Sequence, residues 1–168
     1  VSRPCRRARS RGELTRQVRV LYISYDGLTD PLGQSQILPY LAGCADAGHR
    51  LTIVSFEKDD RFALLGDQVR ETCARHGMEW RPERFRLQPP LLTRALDQLA
   101  MRRSVGRLAA SHRFDLVHAR SYPAAVAGLG LKRRFGIPLL FDMRGFWPDS
   151  RRDGGRWSDD SLLGRNLY

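Results

Sequence analysis

Val18-Arg19-Val20-Leu21-Tyr22-Ile23-Ser24-Tyr25, running into Asp26-Gly27, is the stretch whose reading decides the fold. It is short, β-branched and aromatic, and it ends in a turn pair, the pattern of a buried strand entering a loop. The loop over 26–33 holds Gly27, Pro31 and Gly33, all turn residues. Over 34–47, Ile37, Leu38, Leu41, Ala42 and Ala45 recur at helical spacing, and Gly48 supplies a stop. Leu51-Thr52-Ile53-Val54-Ser55-Phe56 is a second strand. Strand, loop, helix, turn and strand make a βαβ unit, whose strands run parallel.

The pattern repeats outward from this unit. A helix over 61–76 points Leu64, Leu65, Val69 and Cys73 inward, and 78–87 holds one short strand interrupted by Pro82. A long amphipathic helix over 91–111 carries arginines on its wet face. Phe114-Asp115-Leu116-Val117-His118 is a terse buried strand, 123–134 a helix rich in Ala and Gly that can lie close to a sheet, and Ile137-Pro138-Leu139-Leu140-Phe141-Asp142 another strand. The alternation predicts an α/β fold, a Rossmann-like, doubly wound, mostly parallel sheet. The division expected is a basic disordered tail over 1–16, a Rossmann-like domain over 17–157, and the start of a helix over 158–168. The first residue is Val, consistent with a fragment or an alternative start codon, and the chain stops in mid-pattern, so further material is expected beyond Tyr168.

Composition removes several classes of function. The chain has 168 residues with 42% hydrophobic content, enough for one domain with a substantial core. The net charge is +11, and the tail, with six arginines against Glu13, supplies +5 of it. Such a surface attracts nucleic acid, anionic lipid or phosphorylated substrates, but Arg-rich composition from a GC-rich genome accounts for much of the excess, and charge alone selects no partner. Cys5, Cys44 and Cys73 are odd in number and form no CxxC, which argues against a disulfide framework and a zinc site. A cytoplasmic location follows as the default, since there is neither an apolar run of about 20 residues to span a bilayer nor a secretory signal pattern. Motifs for nucleic-acid recognition are also missing, so no nucleic-acid partner is expected.

In open parallel sheets, ligands bind beyond the carboxyl ends of the strands. That rule selects three loops. The first, Asp26-Gly27-Leu28-Thr29-Asp30-Pro31-Leu32-Gly33-Gln34-Ser35-Gln36, brings glycines to a helix start, where backbone N–H groups can approach an anion. It is neither a GxGxxG fingerprint nor a GxxxxGK[ST] phosphate loop, so nicotinamide and P-loop nucleotides lose weight; a plain turn and helix cap reads the same residues equally well. The second, His118-Ala119-Arg120-Ser121-Tyr122, offers donors to sugar hydroxyls or phosphate, against the plainer reading of a backbone-satisfied His and a solvated Arg. The third, Asp142-Met143-Arg144-Gly145-Phe146-Trp147-Pro148-Asp149, packs two carboxylates, an Arg and two aromatics into eight positions. Aromatics flanking polar groups suit a sugar, whose apolar face stacks while its hydroxyls bond to charged groups. The plainer reading is an Asp–Arg pair holding the loop, with Phe146 and Trp147 plugging the sheet end. His49, His76 and His112 lie near turns or helix ends and receive no role.

Together the three loops resemble the N-terminal domain of family 4 glycosyltransferases, with the similarity running from Val18 nearly to the end of the chain. The resemblance implies the two-lobed GT-B fold, in which the N-terminal lobe mainly binds the acceptor. The C-terminal lobe mainly binds a nucleotide-diphosphate sugar and carries a Glu-rich motif that this chain lacks. It also implies transfer with retention of anomeric configuration, without a metal or other cofactor. Carried over by position, Gly33 matches the glycine-rich loop near donor phosphates and acceptor, and His118 the polar residue at the end of the fourth strand. Many members place a His after the fifth strand; here the stretch reads Asp142-Met143-Arg144-Gly145, and Arg144 stands as its substitute.

The candidate catalytic residues are therefore Arg144, His118 and Asp142. The candidate substrate-binding residues are Asp26, Gly27, Gly33, Gln34, Arg120, Phe146 and Trp147. Backbone N–H groups at Gly33-Gln34 and the Arg144 guanidinium would stabilise charge on a leaving diphosphate, and Asp26 or Asp142 would orient an acceptor hydroxyl or take its proton. The expected acceptor is a saccharide or a lipid-linked saccharide, with peripheral contact to an anionic membrane through the arginine-rich helix. The competing reading is a non-catalytic remnant domain that binds an acceptor or a partner protein.

Overall fold

Along β1 (Arg19–Ser24), alternate side chains go to opposite faces of the sheet. Val20 and Tyr22 enter one buried cluster with Ile37, Leu41, Val69 and Cys73; Leu21 and Ile23 enter another with Met101, Val105, Ala124 and Leu131. A strand apolar on both faces needs helices on both sides, which is the doubly wound arrangement. The computed structural model of the protein describes residues 16–85 and 90–144. The basic tail over 1–15, the loop residues Phe146 and Trp147, and the helix expected over 158–168 lie outside the described residues.

The remaining strands are β2 (Arg50–Glu57), β3 (Glu79–Arg84), β4 (Leu116–Arg120) and β5 (Leu139–Asp142). They pair in parallel in the order β3-β2-β1-β4-β5. The helices are α1 (Leu38–Asp46), entered through a π-helical turn at Gly33–Ile37, then α2 (Asp59–Arg75), α3 (Pro90–Ser111) and α4 (Ser121–Phe135). From β1 the chain winds outward to β3, then returns through α3 to add β4 on the other side of β1. The strand order thus reverses between β1 and β4, the position where such sheets open a ligand crevice.

Three local expectations change. Pro82 does not interrupt its strand: β3 runs through it in register with Ser55, because β3 is at the sheet edge and a missing N–H is tolerated there. Leu64, expected inward, is 74% exposed; the inward stripe of α2 runs Phe62, Gly66, Val69 and Cys73, at helical spacing set by the start at Asp59. The fourth strand lies two residues later than expected. The Asp115 carboxylate accepts the Arg19 backbone N–H at 2.9 Å before β4 begins, and pairing then extends to Ser24 opposite Arg120. The close approach expected of the Ala/Gly-rich helix is present: a Cβ at Gly128 would lie 2.7 Å from Leu139.

Candidate functional site

The parallel register builds the site. Tyr22 is paired with His118 and Ser24 with Arg120; His118 is paired with Leu140 and Arg120 with Asp142. With a side-chain period of two, Tyr22, His118, Arg120 and Asp142 all face the side of the sheet that carries α1. Their carboxyl-end position at the β1/β4 switch point makes a trough of about 610 Å³. Gln36 and Tyr40 line it from the helical side, His118, Arg120, Leu140, Phe141 and Asp142 from the sheet, and Met143 and Arg144 from the segment beyond β5.

His118 is therefore a residue in the middle of its strand rather than at its end, and its side chain is only 9% exposed. The Tyr22 and Tyr40 rings meet it edge-on, at centroid distances of 4.8 and 5.9 Å. Burial holds its pKa below the ordinary 6.5; Asp142 opposes this and Arg120 reinforces it. Neutral imidazole is the form at pH 7, able to accept a hydrogen bond through one nitrogen and donate through the other. Burial likewise raises the Tyr22 phenol, against the pull of Arg120, so it stays protonated.

Arg120, the last residue of β4, is 5% exposed. Its Nη2 donates to Gln36 Oε1 at 3.2 Å, its Nη1 lies 3.5 Å from Asp142 Oδ2, and its Nε lies 4.0 Å from Asp26 Oδ2 without a hydrogen-bond partner among the described residues. Asp142 Oδ2 is also 3.9 Å from His118 Nε2. Arg144 donates to the same Gln36 oxygen as Arg120. Ser121, which follows Arg120, has φ of 70°, a left-handed conformation rare outside glycine. Such strain collects where surrounding structure fixes the backbone for a purpose.

The glycine loop forms the adjoining wall. Glu57, 3% exposed at the end of β2, accepts the backbone N–H groups of Leu28 (2.8 Å) and Thr29 (3.1 Å). The hydroxyls of Thr29 and Ser55 donate to the same carboxylate at 2.5 and 2.6 Å, and Trp80 Nε1 donates to Ser55 at 2.8 Å. A Cβ at Gly33 would sit 2.2 Å from the Gly27 carbonyl oxygen, and one at Gly27 would sit 2.6 Å from Glu57 Oε2, so both glycines are required by close packing. The Gln34 backbone N–H donates to Asp30 O at 2.9 Å and its side chain to Leu28 O at 2.6 Å. Gln34 thus holds the loop from within rather than presenting donors to a ligand.

Of the residues expected from sequence, His118, Arg120, Asp142 and Arg144 converge on the trough, and Asp26 borders it through Arg120. Gly27 and Gly33 shape the loop beside it. Sequence reasoning missed Gln36, Tyr40 and Glu57 as contributors. Gln36 and Tyr40 are spaced to share one helical face, and Glu57 is a carboxylate placed directly at the end of a buried strand; both signals were available. Among the described residues, no group of three His, Cys, Asp or Glu is gathered as a metal site.

This fold and crevice define a Rossmann-like α/β domain with an open trough at its switch point. The family described as "Glycosyl transferase 4-like domain" matches residues 33–166, and the chain belongs to it. No curated protein matches. Among solved structures, the chain is similar to a glycosyltransferase from Rickettsia africae, at 12% identity and a TM-score of 0.52, over 88% of this chain and 35% of that one. It is similar also to the glycotransferase of kitacinnamycin, at 18% identity and 0.52, over 75% of this chain and 30% of that one. The C-terminal domain of a hydrogenase from Pyrococcus furiosus shares the fold equally well, at 16% identity and 0.56, over 75% of this chain and 91% of that one. Identities this low speak for the fold alone, and a hydrogenase domain among the neighbours illustrates that the fold does not choose the chemistry. The chain spans about a third of the two glycosyltransferase chains.

Proposed function

We propose that this domain is the acceptor-side, N-terminal lobe of a retaining GT-B glycosyltransferase. The enzyme would move a sugar from a nucleotide-diphosphate sugar to a saccharide or lipid-linked acceptor. The observation that carries the reading is a polar trough at the β1/β4 switch point inside a chain of the glycosyl transferase 4-like family. The match to only about a third of the two glycosyltransferase structures supports a second, donor-binding lobe as the opposite wall.

In this reading the acceptor hydroxyl lies between His118, whose neutral ring donates a hydrogen bond to its oxygen, and Asp142, which accepts its hydrogen bond. The hydroxyl oxygen bonds to the anomeric carbon on the face that the diphosphate leaves, as the bond from that carbon to the diphosphate breaks and its electron pair leaves with the phosphate oxygen. Asp142, beside His118, takes the hydroxyl proton, and Arg144, exposed at the rim, faces the charge growing on the leaving diphosphate. Peripheral membrane contact belongs to the same proposal. The outer surface of α3 exposes Leu96, Leu99, Arg102, Arg103 and Arg107, a face suited to anionic lipid. No helix among the described residues is long and apolar enough to cross a membrane.

The experiment is a titration of the labelled 168-residue chain with neutral and acidic saccharides, followed by nuclear magnetic resonance. Saturable shifts at His118 and Arg120 are expected. Shifts confined to the β3 edge, or none with any saccharide, would remove the acceptor-lobe reading.

A further inference from the structure

Arg120 is held in an unusual state for a buried cation. A guanidinium has five donors in a planar fork, and burying one is costly unless it is paired through hydrogen bonds. Here the two nearby carboxylates stand back: Asp142 at 3.5 Å from Nη1 and Asp26 at 4.0 Å from Nε, both beyond ordinary hydrogen-bond length. Arg120 donates to a neutral oxygen, the amide carbonyl of Gln36, and its other hydrogen-bonding neighbour is the neutral Tyr22 phenol; its Nε has no partner among the described residues.

The edge involved matters. Nε and Nη2 form the side of the guanidinium that grips an oxyanion through two parallel bonds. On Arg120 that edge carries one neutral oxygen at Nη2 and, among the described residues, no hydrogen-bond partner at Nε, which is covered from solvent, while Arg120 is one of the residues that line the open trough. Gln36 sits on the π-helical turn after the glycine loop, with its residue exposed, so its amide is free to turn away when a stronger acceptor arrives. The Arg144 guanidinium, which shares that amide oxygen, would then be released at the rim.

We infer that the acceptor carries an oxyanion, a carboxylate or a phosphate, which displaces the Gln36 amide and docks on the Nε–Nη2 edge of Arg120. This rests on the acceptor-lobe reading and narrows it from saccharides in general to acidic ones. The rest of the trough fits such a molecule: His118 and Tyr40 offer hydrogen-bonding and ring surfaces for the sugar, and Leu140 an apolar floor.

The test uses the 168-residue chain and four probes at constant ionic strength: methyl glucoside, methyl glucuronide, glucose 6-phosphate and uridine diphosphate. The Arg120 Nε–H resonance, assigned with Arg120→Lys, is the readout. At least one of the two acidic sugars should shift it saturably, with an affinity at least about tenfold above methyl glucoside, as a charge-assisted pair requires. Whichever of them does so tells carboxylate from phosphate. Gln36→Glu, which places an internal carboxylate on the same edge, should abolish the preference. Arg120→Lys, which keeps the charge and loses the fork, should also abolish it, read at the His118 ring resonances because this variant has no Nε–H. Equal binding of neutral and acidic sugars at this resonance would overturn the oxyanion and leave the acceptor lobe standing. Tighter engagement of Arg120 by uridine diphosphate than by either acidic sugar would give the edge to the donor and overturn the proposal. A trough unmoved by every sugar would overturn both.

Discussion

Glu57 Oε1 accepts the backbone N–H of Leu28 at 2.8 Å, and that contact ties the end of β2 to the loop that leaves β1. Because Thr29 and Ser55 bond to the same buried carboxylate, Glu57→Ala leaves several buried donors unsatisfied. The expected loss of stability is about 3–5 kcal/mol, read from urea unfolding. Glu57→Gln, which keeps the shape but replaces one accepting oxygen with a donor, should lose less. A loss below about 1 kcal/mol for Glu57→Ala would show that the carboxylate does not hold the loop.

Two glycines give an internal contrast. At Gly33 a methyl group would press into the Gly27 and Leu28 carbonyls, whereas a Cβ at Gly43, on the exposed face of α1, meets nothing within 4 Å. Gly43→Ala should be neutral or stabilising by up to about 1 kcal/mol, as a helix interior gains from Ala. Gly33→Ala should destabilise by about 2 kcal/mol or more and disorder the loop beside the trough. Thermal melts of the two variants decide it; equal melting temperatures would contradict the packing described.

His118 sets a pH dependence. Its folded pKa lies below the ordinary 6.5, so the unfolded chain takes up a proton at higher pH than the folded one. Its contribution to stability is present above 6.5, falls as pH drops from there toward the folded pKa, and levels below it. His118→Asn should remove that slope. Asp142→Asn should move the His118 midpoint further down, since Asp142 is the group that opposes burial. A midpoint that rises in Asp142→Asn, followed by proton resonance, would contradict the arrangement.

The outer face of α3 makes a membrane prediction. Arg102 and Arg103 beside Leu96 and Leu99 should bring the chain to vesicles rich in anionic lipid, at about 1 kcal/mol per basic residue near the surface. Flotation with anionic and neutral vesicles should show binding to the first, weakened by Arg102→Gln with Arg103→Gln. Equal recovery with both vesicle types, or none, would leave α3 as a solvated helix face.

The βαβ unit from β1 to β2 was legible because its signals are local: β-branched runs, a glycine loop and a helical stripe. The trough was legible only in part. The order of strands puts β4 between β1 and β5, and no local pattern in the sequence states that Arg120 and Asp142 share a rung. Ala119 and Arg120 read as loop because the run Phe114 to His118 looks like a complete strand; pairing with β1 extends it to Arg120. Gln34 looked like a ligand donor by its place after Gly33, yet its N–H and amide serve the turn itself. Leu64 shows the same limit, since an apolar residue at helical spacing can still face water.

The central claim is that this domain supplies one wall of a two-walled site. Positioning two substrates accounts for much of the acceleration in group transfer, and a diphosphate held against one lobe stays in water, where its contact with Arg144 is screened. The measurement is donor consumption by the purified 168-residue chain, folded by circular dichroism, with a panel of nucleotide sugars and saccharide and lipid-linked acceptors. The account predicts a folded chain without acceptor-dependent turnover; robust acceptor-dependent turnover by this chain alone would contradict it.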